Sequence, residues 1–211
     1  MMRNRGRAAI ATAIALAAGL ATFFVIRSLL EPEARSSGPA QAAAAVIPEF
    51  RPEVTLADRD GKPRSLSEWD GKPLIINFWA TWCAPCRREI PMLNALAVDE
   101  QYAAFEIIGI AIDFREDVLK YLEKMPIDYT VLIGEQDGLA AARAFGMESI
   151  GLPFTAFTDR RGRIATIHVG ELHLPQAQVI LSAIRDVDAG ILDLPVARTQ
   201  IQEGLRINPA R

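Results

Sequence analysis

Lys72 to Pro91 reads KPLIINFWATWCAPCRREIP, and this stretch decides the fold. Its first half, Lys72 to Ala80, is an apolar run rich in β-forming residues, of the kind buried on both faces of a sheet. From Cys83 the pattern changes: Ile90, Leu93, Leu96 and Ala97 recur at helical spacing, with Pro91 inside the pattern as an expected kink. Two thiols, Cys83 and Cys86, therefore sit where a buried strand gives way to a helix. A thiol at a helix N-terminus has its thiolate stabilised by unpaired backbone N–H groups and by the dipole, so its pKa falls towards neutrality and it becomes a usable nucleophile. With only Ala84 and Pro85 between them, the second sulfur can swing onto the first within one helical turn. Cys83 is then placed to attack a disulfide and Cys86 to resolve the mixed disulfide.

These are the only cysteines in the chain, which limits the other readings of the pair. A structural zinc site needs four ligands, and His168 and His173 lack the paired spacing. Attachment of a c-type haem needs a histidine straight after the second cysteine, where this chain has Arg87. A purely structural disulfide closing so short a loop removes little chain entropy and is a poor staple. Neither metal nor other cofactor is expected, and no role is assigned to the histidines.

Working outward, Phe105 to Ile112 is a second buried strand, followed by a charged helix near Glu116 to Lys124, a short strand near Tyr129 to Ile133 and a helix near Asp137 to Phe145. Phe154 to Thr158 and Ile164 to Val169 make a strand pair joined at Asp159 to Gly162, and Pro175 to Val187 forms a closing helix with proline in its first turn. On the other side, Val54 to Leu56, the turn at Asp60-Gly61 and Pro63 to Leu66 read as a short hairpin. The expected architecture is α/β: a mixed central sheet covered by helices on both faces, with an N-terminal hairpin extension.

Ala8 to Ile26 carries no charge, and at about 1.5 Å per helical residue it just crosses a hydrocarbon core. Arg3, Arg5 and Arg7 precede it, so the positive-inside rule puts the N-terminus in the cytoplasm and the rest of the chain across the membrane. The competing reading is a cleaved signal peptide, with Ala40 to Ala42 as the cleavage site, but that tripeptide lies well past the end of the apolar run. Glu31 to Ile47 mixes Pro, Ser, Gly and Ala with no amphipathic period and suits a tether. The expected division is a cytoplasmic stub and transmembrane anchor over 1–30, a flexible linker over 31–48, one domain over 49–190 and a C-terminal tail over 191–211. A net charge of -3 gives no electrostatic case for nucleic acid.

The run from Asn77 to Cys86, with Pro91 five residues after the second cysteine, resembles the TlpA-like and ResA-like branch of membrane-anchored thiol-disulfide oxidoreductases in the thioredoxin superfamily. Gly151-Leu152-Pro153-Phe154-Thr155, followed by Asp159 and Gly162, is similar to the segment of that family containing a cis-proline that faces the cysteines. The resemblance covers roughly Phe50 to Val187 and implies a thioredoxin-like fold with Trp82, Ala84, Pro85, Leu152 and Pro153 supporting the redox pair. It implies that the backbone of Leu152 pairs with an extended segment of a disulfide-containing client protein. Where thioredoxin carries a buried aspartate for proton transfer this chain has Asn77, which cannot titrate, so Asp113 or Glu116 is the candidate for that task. Trp79 and Trp82 either shield the sulfurs from water or simply pack.

The resemblance further implies a single-pass protein of the inner (cytoplasmic) membrane with its catalytic domain on the periplasmic or extracytoplasmic side. It would reduce clients, for cytochrome c or copper-enzyme maturation, with electrons from a membrane donor of the DsbD/CcdA type. The neutral Ala84-Pro85 pair adds no positive charge between the thiols and favours the reductase direction over a disulfide-donating oxidase. A copper(I) carrier using two soft thiolates is the non-enzymatic alternative, with no Met-rich or Cys/His-rich tract beside it. Peroxide reduction by a single cysteine is disfavoured because no proline lies just upstream of Thr81.

Overall fold

The computed structural model describes residues 47–147 and 151–209. The run after Lys72 forms β3 (Leu74–Trp79), with every residue buried, because it lies inside the sheet between β4 (Glu106–Ala111), parallel, and β6 (Phe154–Thr158), antiparallel. Alternation along it divides the core: Ile75 and Trp79 face one side, while Ile76 and Phe78 face the other. Outside β4 lies β5 (Thr130–Ile133), parallel to it, and outside β6 lies β7 (Ile164–Val169), antiparallel.

The hairpin strands β1 (Thr55–Asp58) and β2 (Pro63–Ser65) do not stand apart. Antiparallel pairing of β1 with β5 joins them to one seven-stranded mixed sheet of order β2-β1-β5-β4-β3-β6-β7. Their turn needs Gly61 at φ +82°, in the left-handed region, and Asp58 closes it by accepting from the N–H groups of Asp60 and Lys62.

Helices cover both faces. On one lie α1 (Ala84–Val98), α2 (Arg115–Lys124) and α4 (Leu174–Asp188), burying Ile90, Leu93, Val118, Ile180 and Ile184. The other is closed by α3 (Gln136–Ala144), through Ala141, Ala142 and the adjoining Phe145, and by a short helix that buries Leu66 and Trp69. Phe145 meets Phe78 edge to face, and Phe154 stacks on the same ring. Helix α1 runs on through Pro91, whose missing N–H removes one intrahelical bond.

The expected tail over 191–211 is corrected. Leu194–Ile207 is a further helix, α5, capped by Asp193, and its Leu194, Ala197 and Ile201 are buried in the same core as α4. Arg198 on α5 also donates to the carbonyl of Ile164 on β7, so the domain extends past residue 190. The expected membrane anchor at Ala8 to Ile26 and nearly all of the linker lie outside the described residues. Among those described, no helix is long and apolar enough to cross a membrane.

Candidate active site

The chain leaves β3 at Trp79, turns through Ala80 to Trp82, and enters α1 with Cys83 as its N-cap. Cys83 Sγ accepts from the N–H of Cys86 at 3.2 Å, the donation expected to stabilise a thiolate at a helix start. The two cysteines are disulfide-bonded, with Cα atoms 5.3 Å apart, so the oxidised form is the one described. Ala84 is exposed and Pro85 half-buried in the first turn, where a backbone N–H would have no intrahelical partner and proline's lack of one costs nothing.

The Leu152–Pro153 peptide is cis. Phe154 pairs with Phe78, so Pro153 and Leu152 lie at the end of β3 from which the cysteine loop departs, just beyond the last paired residue of β6. Trp82 is 66% exposed while Trp79 is fully buried, which answers the tryptophan question differently for each. Trp79 packs, and Trp82 stands at the surface beside Cys83. Phe114, 59% exposed, lies on the neighbouring loop.

Of the two acids considered for proton transfer, Asp113 is a loop clamp. Its Oδ2 accepts from the Thr81 N–H at 3.0 Å and from Thr81 Oγ1 at 2.5 Å, and its Oδ1 accepts from the Phe114 N–H. It thereby holds the loop before the cysteines against the loop after β4. Glu116 is a solvated carboxylate on the first turn of α2, paired with Lys120, whose hydrogen bond holds its pKa below the ordinary value.

The carboxylate that does lie in the interior is Glu89, which sequence reasoning missed. It follows Cys86 by three residues, hence on the same buried face of α1, and is 1% exposed. Oε1 accepts from Asn77 Nδ2 at 2.7 Å and Oε2 from the Leu172 N–H at 2.7 Å, and among the described residues no cationic side chain pairs with either oxygen. Burial pushes its pKa up to about 7, outweighing the two hydrogen bonds that pull it down, and the Glu171 charge pushes the same way. Asn77 gives its second N–H to Thr155 Oγ1, so it anchors Glu89 to β3 and β6 rather than titrating itself. One signal was available: positions 86, 89, 93 and 96 form one helical stripe, and Glu89 is its only charged member.

A seven-stranded mixed sheet with a dicysteine at a helix start, a cis-proline at the same end of the sheet and a buried carboxylate on the helix face that bears Cys86 defines a thioredoxin-like thiol-disulfide oxidoreductase. Comparison with known proteins agrees. The family model described as AhpC/TSA family matches residues 47–167, and the chain belongs to that family. It is similar to the thiol-disulfide oxidoreductase ResA of Geobacillus thermodenitrificans, 28% identical over 69% of this chain and 82% of that protein. It is also similar to the thioredoxin-like protein YneN of Bacillus subtilis, 30% identical over 57% of this chain and 70% of the relative. Among solved structures, a thioredoxin-family thiol:disulfide interchange protein from Chlorobium tepidum superposes with a TM-score of 0.53 at 27% identity, covering 68% of this chain and 94% of the other.

Proposed function

We propose that this protein reduces disulfides in extracytoplasmic client proteins, tethered to the inner membrane by its N-terminal segment and recharged by a membrane electron donor. The observation that carries the chemistry is Glu89, a buried carboxylate with a pKa near 7 on the face of α1 that bears Cys86. The thiolate of Cys83 attacks one client sulfur, forming a mixed disulfide and releasing the first client thiolate, which takes a proton from water. Glu89 then accepts the Cys86 proton, and the Cys86 thiolate attacks Cys83 Sγ. That step closes the Cys83–Cys86 disulfide and expels the second client thiolate, so two electrons pass to the client.

Two features support the reducing direction. Ala84-Pro85 places no positive charge between the sulfurs, and an ionised Glu89 adds negative charge in a region of low dielectric beside them. The first leaves thiolate without added stabilisation and the second opposes it, and a dithiol less stabilised as thiolate gives up its electrons more readily. The exposed apolar side chains of Trp82, Phe114 and Val169 flank the exit of β3 and suit a client with apolar residues beside its disulfide. Leu152, just before β6 and beyond its last paired residue, is placed to offer backbone to an extended client strand. Arg3, Arg5 and Arg7 before the apolar run support an anchor with the domain outside. Cytochrome c or copper-enzyme maturation is the client pathway that the family resemblance favours.

The test combines a redox titration of the full-length protein with acid trapping of thiols in whole cells. A potential nearer about -270 mV than about -120 mV, with a largely dithiol resting population, is expected. A wholly oxidised population with a potential at the upper end of that scale overturns the reductase reading in favour of disulfide donation. Stoichiometric copper(I) retention with no turnover of a disulfide peptide favours the carrier.

A further inference from the structure

Four buried polar side-chain atoms lack a hydrogen-bond partner among the described residues: Asn77 Oδ1, Trp79 Nε1, Tyr121 Oη and Tyr129 Oη. Left dry, each would forfeit its hydration without recompense, and buried polar groups are nearly always satisfied by protein or by an ordered water. They form one cluster on the face of the sheet that carries Glu89. Asn77 and Trp79, two apart on β3, share that face, and Asn77 is the cross-strand neighbour of Gly109 on β4. A Cβ on Gly109 would lie 2.9 Å from Tyr129 Cε2 and 3.1 Å from Trp79 Nε1, so both rings rest on that glycine. The Tyr121 ring packs 5.5 Å from that of Trp79; its Oη is buried while other atoms of the residue are exposed, so the cluster runs from the Asn77–Glu89 bond to just beneath the surface at α2.

The chemistry of the four atoms is complementary. Trp79 Nε1 only donates, Asn77 Oδ1 only accepts, and the two phenols do both, which is the set of partners that holds a bridging water. We propose that Tyr129 and Tyr121, bridged by water to the Glu89–Asn77 pair, form the route by which the proton taken from Cys86 reaches solvent. This deepens the proposed function and rests on its assignment of Glu89 as the base. Protonated Glu89 gives its proton to the water, and the water passes one of its own to Tyr129 Oη; that phenol, which makes no hydrogen bond to Tyr121, passes its proton through a second water to Tyr121 Oη, and a further water carries it to the surface. Every oxygen on the route gains one proton and loses one, and no tyrosinate accumulates.

The surrounding charges are consistent with hopping through neutral phenols. Burial, and after it the Glu89 charge, holds Tyr129 protonated far above neutral pH. Burial also raises Tyr121, while Arg87 beside it pulls the other way. On the opposite side of Glu89, Glu171 is ion-paired with Arg88, and burial favours the neutral form of His168, whose Nε2 contacts the Glu171 carbonyl.

The experiment follows the two phases of nitrothiophenolate release when the reduced full-length protein meets dithiobis(nitrobenzoate), the first from attack by Cys83 and the second from attack by Cys86. Tyr129→Phe is expected to slow only the second phase near neutral pH, by about tenfold, and to change its solvent deuterium isotope effect, a smaller loss than the ~100-fold expected for removing a general base outright. Tyr121→Phe moves the second phase in the same direction by less. A Tyr129→Phe protein with an altered melting temperature but wild-type pH profile and isotope effect would show that the hydroxyl has only a structural part, overturning the route. Glu89→Gln separates the two levels. If it abolishes the neutral inflection of the second phase while Tyr129→Phe leaves the rate and isotope effect of that phase unchanged, the route alone fails; if Glu89→Gln leaves the inflection, the base assignment fails and the route with it.

Discussion

Replacing Glu89 by glutamine should remove a definite piece of the pH dependence of stability. The carboxyl is raised from its ordinary 4.5 to about 7 in the fold. Between those values the native state holds a proton that the unfolded chain has released, so stability from this group is fully present below about 4.5 and is lost as pH rises through about 7. At about 1.4 kcal/mol per tenfold change in proton affinity, the loss amounts to about 2.5 kcal/mol between pH ~5 and pH ~8. His168 works against it, since burial lowers its pKa and its contribution grows as pH rises, so the wild-type curve alone is ambiguous. The difference between wild type and Glu89→Gln cancels that term. Glutamine offers one acceptor where Glu89 serves both Asn77 Nδ2 and the Leu172 N–H, so a pH-independent loss of about 1–3 kcal/mol is superimposed. Urea unfolding of the oxidised proteins at half-unit pH intervals measures both, as slope and offset. A difference curve flat from pH ~5 to pH ~8 would refute the raised carboxyl.

Three further outcomes are expected. Cys86→Ser should accumulate mixed disulfides with client proteins while Cys83→Ser forms none, and equal alkylation rates for the two reduced thiols would contradict the division of labour. Asp113→Ala should lower stability by about 1–3 kcal/mol, because it frees the Thr81 N–H and hydroxyl, yet leave the neutral inflection in reactivity in place; losing that inflection would make Asp113 a proton carrier after all. Gly204→Ala should destabilise by about 1–3 kcal/mol despite the helix propensity of alanine, since its Cβ would lie 2.5 Å from Val179 Cγ1 where α5 crosses α4. Adding Val179→Ala should recover part of that loss, and strict additivity of the two changes in thermal unfolding would argue against the clash.

What could be read from the sequence was whatever is local. The β3 run, the thiol spacing and the turn at Asp60-Gly61 each carry their meaning within a dozen residues, and each lies in the fold as the pattern requires. Helix α5 was not legible because Gly190, at φ +72°, and Pro195 punctuate the chain just where it begins. Its buried stripe, Leu194, Ala197 and Ile201, is sparse and includes an alanine, which reads as apolar only once α4 stands opposite. Glu89 escaped for a related reason. A charged residue near a helix start is ordinarily solvated, and what buries this one is Leu172, supplied from 83 positions away.

The contrast between Glu89 and Glu116 shows what the interior arrangement selects for. Both are glutamates on helices that cover the same face of the sheet, yet one is pushed up by burial and the other pulled down by Lys120. A lysine or arginine beside Glu89 would have repaid much of its desolvation, but it would also have returned the pKa below the working range and left a permanent anion unable to take a thiol proton near pH ~7. Two neutral donors, Asn77 Nδ2 and the Leu172 N–H, instead orient both oxygens without fixing the charge. The asparagine on β3 is thus no substitute for a titrating residue at its own position. It is the positioning partner of a carboxyl on the helix, where the buried face that carries Cys86 also carries the group proposed to deprotonate it.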